Sequence, residues 1–440
     1  MIKALFTDHL ATLVQRAETL FEHERFDALL IHSGSTKNYF LDDYAPAFKP
    51  NPHFVQWMPF LTEHPECWLV ITPGIKPCLY LYSPDDFWHM TAAEPTDFWS
   101  ELFDVHLFTD LATQLKQMPL AGDVALIAAD PIEISQSRIH HNPERLMHAL
   151  HFMRAEKTAW EQHCIRQANQ SAVKGHQFTQ NGFIGGMSEY ELHQGYLSAI
   201  GHLEKELPYS NIIALNEHAA VLHYQHKDRT APQQHRTLLV DGGAVYHGYV
   251  ADITRTVSQG SQDFQALLTA MDQAQQALVD TISSGVSFLS LHETMHQQLF
   301  RILADAGIIK RSHMLDQSEA LSITRTFYPH GLGHLLGIQV HDIGGWQQDS
   351  DGQLLNPPND HPFLRLTRTL KENMVVTIEP GLYFIPQLLN QLKNTSLADY
   401  IDWSLVDSLM PWGGIRIEDN VCVTAKGVEN YTRDAFNHLK

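Results

Sequence analysis

The stretch LLVDGGAVYHGYVADIT, Leu238–Thr254, sets two aspartates into aliphatic and β-branched runs and separates them by eleven residues. The runs read as strands. The glycines in GGAVYHG predict a hairpin turn that lets Asp241 and Asp252 face one another across paired strands. Two further acids sit in the same kind of setting, Glu379 in VVTIEPG and Glu418 in GIRIEDN. An alternating strand shows one face to water, so a single such acid needs no explanation. Four of them do, because an ionised carboxylate removed from water is costly unless it is paired, hydrogen-bonded or bound to a cation.

A second stretch, FYPHGLGHLLGIQVHD (Phe327–Asp342), brings His330, His334 and His341 into an apolar context. The four-residue spacing of the first two would suit a helix, but Pro329, Gly331 and Gly333 favour a loop or irregular strand that presents its imidazoles to one point. Carboxylates with an imidazole and no thiolate favour Mn²⁺, Co²⁺, Fe²⁺ or a catalytic Zn²⁺ over a structural zinc site. Two divalent ions carry a charge of +4, which four carboxylates balance, and the water they bind is acidified. Hydrolysis is the chemistry such a centre favours.

The chain of 440 residues is long enough for two domains. Its formal net charge is −20 with 44% hydrophobic residues, which predicts a soluble protein without a polyanion-binding surface, so no nucleic-acid partner is expected. Cys67, Cys78, Cys164 and Cys422 are widely spaced, with no CxxC pair, as expected in a reducing compartment. The N-terminal segment has helical spacing and lacks the features of a signal peptide, and no apolar window is long enough to span a membrane. A cytoplasmic location is expected.

Up to about residue 150, FDALLIHSG, CWLVITPG, CLYLYSP and DVALIAAD predict strands of an α/β domain. A second domain is expected to open with a helix near Met153. Further helices are expected near 188–204, 262–283 and 290–306, and strands in NIIALN, RTLLVDGGAV, GYVADITRTV, NMVVTIEPGLYF and GGIRIEDNVCVT. The proline-rich LLNPPNDHPFLRLTR is expected to be a surface or active-site loop.

The order Asp241, Asp252, His334 in HGLGH, Glu379 in TIEPG and Glu418 in RIEDN resembles the pita-bread metallopeptidases, most closely the bacterial prolidases (Xaa-Pro dipeptidases). The resemblance extends over most of the chain, since FLDDYAPAFKPNP, FWH and CWLV resemble the branch that includes organophosphorus acid anhydrolases. It implies an N-terminal α/β domain of the creatinase/prolidase type over 1–153, serving dimerisation and substrate closure, and a catalytic α+β pita-bread domain over 154–440. It further implies two Mn²⁺ per chain, with Co²⁺, Zn²⁺ or Fe²⁺ as alternatives, bridged by Asp252 and Glu418 and completed by Asp241, His334 and Glu379. Glu379 would also relay a proton. His223, His330 and His341 would line the substrate site, Arg365 and Arg416 would hold a dipeptide's C-terminal carboxylate, and Tyr209 would add a hydroxyl. By the same likeness Asp43 would lie on a loop entering the partner subunit's site of a homodimer.

The expected activity is hydrolysis of Xaa-Pro dipeptides, with organophosphorus triesters or anhydrides as side substrates. The alternatives are an Xaa-Pro aminopeptidase, an organophosphorus acid anhydrolase, and a non-catalytic binder of peptides or histones, the last typically lacking the ligands. One departure concerns Phe288, where anhydrolase-like relatives carry a tyrosine in the leaving-group pocket.

Overall fold

The computed structural model describes residues 1–134 and 138–439. They form two compact units: Met1–Arg154 with Thr158–Glu161 and Asp349–Gln353, and Ala155–Lys157 with Gln162–Gln348 and Leu354–Lys440. The short segments 158–161 and 349–353 therefore group with the first unit, although they lie beyond residue 153 in the sequence. No helix is long and apolar enough to cross a membrane among the described residues.

The first unit contains α1 (Ile2–Glu24), β1 (Ala28–His32), α2 (Pro52–Trp57), β2 (Trp68–Ile71), β3 (Cys78–Tyr82), β4 (Asp104–Phe108), α3 (Leu111–Gln117), β5 (Asp123–Ile127), β6 (Arg138–His141) and α4 (Glu144–Arg154). Its mixed sheet has the order β4-β3-β2-β1-β5-β6. The four apolar runs picked out in the sequence are β1, β2, β3 and β5, and Leu30, Val70 and Leu126 pack in its core. The two strands the sequence hides, DVHLF and RIHH, are the sheet edges, where largely exposed side chains erase the apolar pattern.

In the second unit α5 (Ala159–Ile184), α6 (Glu189–Ile200), β7 (Ile212–Leu215), β8 (Thr237–Asp241), β9 (Val245–Tyr246), β10 (Tyr249–Val250) and β11 (Thr254–Ser258) come first. Then follow α7 (Gln262–Val279), α8 (Phe288–Asp305), α9 (Gln317–Phe327), β12 (Val375–Ile378), β13 (Gly381–Tyr383), α10 (Pro386–Lys393) and α11 (Trp403–Leu409). The chain ends with β14 (Gly414–Arg416), β15 (Asp419–Thr424), β16 (Gly427–Asn430) and α12 (Tyr431–His438). The helix expected from Met153 starts only at Ala159, because Glu156 bridges Met374 and the Lys157 amide donates to the Asn373 carbonyl, holding that segment extended.

Two helix-covered three-stranded sheets, with the two-stranded sheets β9–β10 and β13–β14, make up this unit. The β11-β8-β7 sheet packs Ile213 and Val240 with Val173, Leu192 and Tyr196 of α5 and α6. The β12-β15-β16 sheet packs Val376, Ile378 and Val421 with Met271, Met295 and Phe327 of α7, α8 and α9. An isolated bridge from Thr254 to Glu418 joins the two halves. This is the α+β arrangement expected of the catalytic domain.

Three runs that read as continuous strands are each broken in the middle. Asp252 falls between β10 and β11, Glu379 between β12 and β13, and Glu418 between β14 and β15. The hairpin also differs in detail from the sequence expectation. Thr254, not Asp252, lies opposite Asp241, and the turn falls on His247 and Gly248, both at positive φ, while Gly243 packs so tightly on Ala251 that a Cβ would lie 2.0 Å from its carbonyl oxygen.

Candidate metal centre

The strand breaks free carboxylates from the ladders and aim them at one point. At the first break the Asp252 amide donates to Oδ1 of Asn420 at 3.0 Å, and the Asn420 amide donates back to the Asp252 carbonyl. One side-chain amide therefore satisfies both backbone groups of an unpaired residue. Asn420→Ala is expected to cost on the order of 2 kcal/mol, since two buried backbone groups lose their partners. Denaturant unfolding of the metal-free variant would measure it, and a midpoint matching wild type would show that Asn420 does not hold the break.

His334 reaches the same point from an irregular segment lying against β12. The His334 amide donates to Thr377 Oγ1 and the Thr377 amide to the His334 carbonyl, both at 3.0 Å. Gly333 permits this approach, because a Cβ there would sit 2.0 Å from the Thr377 carbonyl oxygen. The ring's Nδ1 lies 3.0 Å from the Leu335 carbonyl, so Nδ1 carries the proton and Nε2 presents its lone pair. That Nε2 is 3.5 Å from Asp252 Oδ2 and 3.4 Å from Glu379 Oε1. Ligand atoms of Asp252, His334 and Glu418 lie within 4.8 Å of one another. Asp241 joins through Tyr209, whose hydroxyl is 2.8 Å from Asp241 Oδ1 and 2.5 Å from Asp252 Oδ1.

Two adjacent acids differ in a way that bears on whether this cluster suits a cation. Asp419, fully buried, accepts from Arg255 at 2.6 Å, Arg433 at 2.7 Å, Asn430 at 2.9 Å and Gln275 at 3.0 Å. Despite burial, those cations hold its pKa well below the usual range. Glu418, next in the chain and pointing to the other face, accepts from the Thr254 hydroxyl at 2.7 Å. Burial and the charges of Asp252, Glu379 and Asp241 push its pKa well above the carboxylate range. Burial, reinforced by Asp252 and Asp241 against the opposing charges of His334 and Arg416, likewise raises Glu379 to about 7. For His334, burial would lower the pKa, but Asp252 and Glu379 reverse this and raise it. The donor set is rich in unneutralised oxygens with one imidazole, and a divalent cation fits it.

The raised Glu379 pKa has a sign that can be checked in the metal-free protein. The unfolded chain releases this proton near pH 4.3 and the folded chain near 7, so between those values the folded state binds more protons and stability is lost as pH rises. Glu379→Gln removes the effect and is expected to gain on wild type by on the order of 3 kcal/mol between pH 4.5 and 8. Parallel stability profiles of the two chelated proteins would contradict it.

The other residues singled out in the sequence are placed unequally. His330 Nδ1 donates to the Gly331 carbonyl at 2.8 Å, so its Nε2 accepts from the Tyr383 hydroxyl at 2.8 Å, and burial lowers its pKa to about 3. His341 is exposed and stands edge-on to His334 with ring centroids 4.5 Å apart. His223 is also exposed, and its charge is felt at both His330 and His341.

Arg416 departs from the expectation that it is free to grip a substrate. Buried, it donates through Nη2 to Asp241 Oδ2 at 2.7 Å, through Nη1 to the Tyr383 hydroxyl at 3.1 Å and through Nε to Thr254 Oγ1 at 3.2 Å. Its strand neighbour across β13–β14 is Gly381. Arg365 is exposed, and its charge reaches His341. Phe288 is fully buried in the larger core at the start of α8. Asp43 lies on the exposed segment between β1 and α2 of the first unit.

Tyr383, Thr254, Asn420 and Asp419 escaped the sequence reading. Thr254 and Asn420 each lie two residues from a candidate ligand and so share its strand face, a period that could have found them. Tyr383 links Arg416 to His330, and only the fold shows that.

Fold and site together define a two-domain metallopeptidase with a divalent-metal cofactor. Residues 4–152 match the family model described as Xaa-Pro dipeptidase, N-terminal domain, and residues 163–425 match metallopeptidase family M24, to which the chain belongs. It is 44% identical over 436 residues to an Xaa-Pro dipeptidase of Pseudoalteromonas translucida and 43% identical over 444 residues to one of an Enterobacter species, with 98% of each chain covered in both. Among solved structures it resembles Escherichia coli aminopeptidase P with the inhibitor Pro-Leu, at 21% identity, a TM-score of 0.72 and coverage of 98% of this chain and 95% of that one. At that identity the likeness shows the shared fold.

Proposed function

We propose that the chain is a dinuclear-metal dipeptidase that hydrolyses Xaa-Pro dipeptides. The observation carrying this reading is the convergence of Asp241, Asp252, His334, Glu379 and Glu418 on one buried point with too few donors to neutralise it, in a chain whose full-length relatives are named Xaa-Pro dipeptidases. Four carboxylates match the charge of two divalent ions, which they and His334 would hold, Asp252 and Glu418, the two most buried, being shared between the ions. The oxygen-rich set favours Mn²⁺, with Co²⁺, Zn²⁺ or Fe²⁺ able to replace it. When bound, such ions polarise the scissile carbonyl and lower the pKa of water.

The remaining roles fall to this chain's own groups. Glu379, with a pKa raised by burial, is suited to carry a proton toward the leaving proline nitrogen. His223 and His341, both exposed, would donate to the scissile carbonyl, while His330 is held as an acceptor by Tyr383. Tyr209 sets the distance between Asp241 and Asp252. Arg365, exposed and near His341, is the better placed arginine for the substrate's free carboxylate.

Arg365→Leu is expected to raise KM for dipeptides by roughly ten- to a hundredfold with little change in kcat, the worth of a charge-assisted hydrogen bond. A neutral organophosphorus triester, the proposed side substrate, has no carboxylate to lose and should be spared. Equal KM values in mutant and parent would assign the carboxylate elsewhere.

The first unit is proposed to support a homodimer. Phe40 and Leu41, each 91% exposed, with Phe87 and Trp88 at 86% and 78%, are large apolar side chains in the FLDDY and FWH segments, and association would cover them. Asp43 shares the first of these segments and would enter the partner's site with it. A cytoplasmic location is proposed on the cysteine spacing. The deciding assay compares Xaa-Pro dipeptides with Xaa-Pro-Yaa tripeptides after Mn²⁺ reconstitution. Preference for tripeptides would make the chain an aminopeptidase, and no turnover of either would make it a binder.

A further inference from the structure

At least 18 residues from any carboxylate of the centre in sequence, α8 and the proline-rich loop bring together a different donor set. His292 and His296, four apart on α8, share one helix face, and His361 meets them from the loop 354–368. The three ring centroids are 4.3, 4.7 and 5.0 Å apart, all three residues are buried, and one nitrogen from each lies within 4.8 Å of the others. They line a cavity of about 340 Å³ together with Tyr328, Leu364 and His330, through which it adjoins the proposed substrate site.

The hydrogen bonding fixes one of these rings as a ligand and leaves the other two facing each other. The Thr324 hydroxyl donates to the Leu321 carbonyl at 3.0 Å, so toward His296 Nδ1, also 3.0 Å away, it can only accept. Nδ1 of His296 therefore carries the proton and Nε2 keeps its lone pair, as an outer partner fixes it in metal sites. His292 Nε2 and His361 Nδ1 lie 2.8 Å apart and share one proton. Nδ1 of His292 is buried without a hydrogen-bond partner, in a residue only 1% exposed. Burial, and the charge of neighbouring basic groups, lowers all three pKa values, keeping the imidazoles in the neutral form that binds metal.

We propose that His292, His296 and His361 form a second metal site that takes Zn²⁺ or a similar nitrogen-seeking divalent cation, separate from the carboxylate centre. Three neutral imidazoles and a water from the cavity complete a tetrahedron, a donor set that Zn²⁺ prefers and Mn²⁺ binds weakly. Occupation ties the loop carrying His361 to α8. The site does not depend on the dipeptidase reading.

The test uses the full chain with its carboxylate centre filled with Mn²⁺, dialysed against limiting Zn²⁺. The expected result is one zinc bound per chain with the manganese retained, and zinc X-ray absorption showing three imidazoles at about 2.0 Å. His361→Asn, a loop substitution, should weaken this zinc by at least about tenfold while leaving the manganese in place. Absence of the extra zinc, zinc in an oxygen-rich shell with manganese displaced, or unchanged zinc affinity in the variant would each overturn the proposal. Should that variant fail to fold, the absorption spectrum of the wild type decides alone.

Discussion

Asp252→Asn is expected to reduce hydrolysis by more than about a hundredfold and to release metal, because even outer partners of metal ligands are worth ten- to a hundredfold. The substitution is isosteric, and the bonds that hold this break in the strand run from Asn420 to the Asp252 backbone, so the fold should survive. In the chelated protein the same change has two opposing effects on stability. Removing one charge relieves the repulsion that, after burial, contributes most to raising the Glu418 pKa. Against this, His334 and Tyr209 hold the Asp252 carboxyl below its usual range despite burial, so its charge is itself favoured in the fold; the metal-free variant should stay close to the metal-free wild type in stability at pH 8, while gaining less on addition of Mn²⁺. Full metal content with full activity would show that Asp252 does not bridge.

Arg416→Leu is expected to destabilise the metal-free protein by roughly 3–5 kcal/mol, the cost of leaving a buried charge without its partner. The stranded group is Asp241, held at 2.7 Å by Nη2. Tyr383 and Thr254 lose partners as well, so the chain of contacts reaching His330 is cut. Activity should fall for dipeptides and neutral triesters alike, unlike the carboxylate-selective loss expected for Arg365→Leu. The double variant with Asp241→Asn should recover part of the lost stability, since no unpaired charge remains. A loss confined to dipeptides, at unchanged stability, would instead mean that Arg416 grips the substrate's carboxylate as the sequence resemblance implied.

These two residues mark how far the site could be read in advance. Four carboxylates in aliphatic runs were conspicuous because burial makes charge expensive, and that cost is independent of how the strands are arranged. The strand breaks at Asp252, Glu379 and Glu418 were not visible, because a run interrupted for one or two residues keeps its apolar composition. The edge strands Asp104–Phe108 and Arg138–His141 were missed for the converse reason, since their pairing owes little to apolar side chains.

By itself, then, the sequence determined which groups this protein must neutralise: the acids in its apolar strands and the imidazole of His334 among the glycines. Only the tertiary structure decided the partners. Asp419 and Glu418 are adjacent and chemically alike, yet the strand turns one toward Arg255 and Arg433 and the other toward the carboxylate cluster. Arg416 is two residues from Glu418 but spends its charge on Asp241, 175 positions away. His361 meets His292 across 69 positions. Local pattern fixes which face a side chain takes, whereas its charge partner comes from whichever segment the packed core brings within a few ångströms, and no local spacing carries that information.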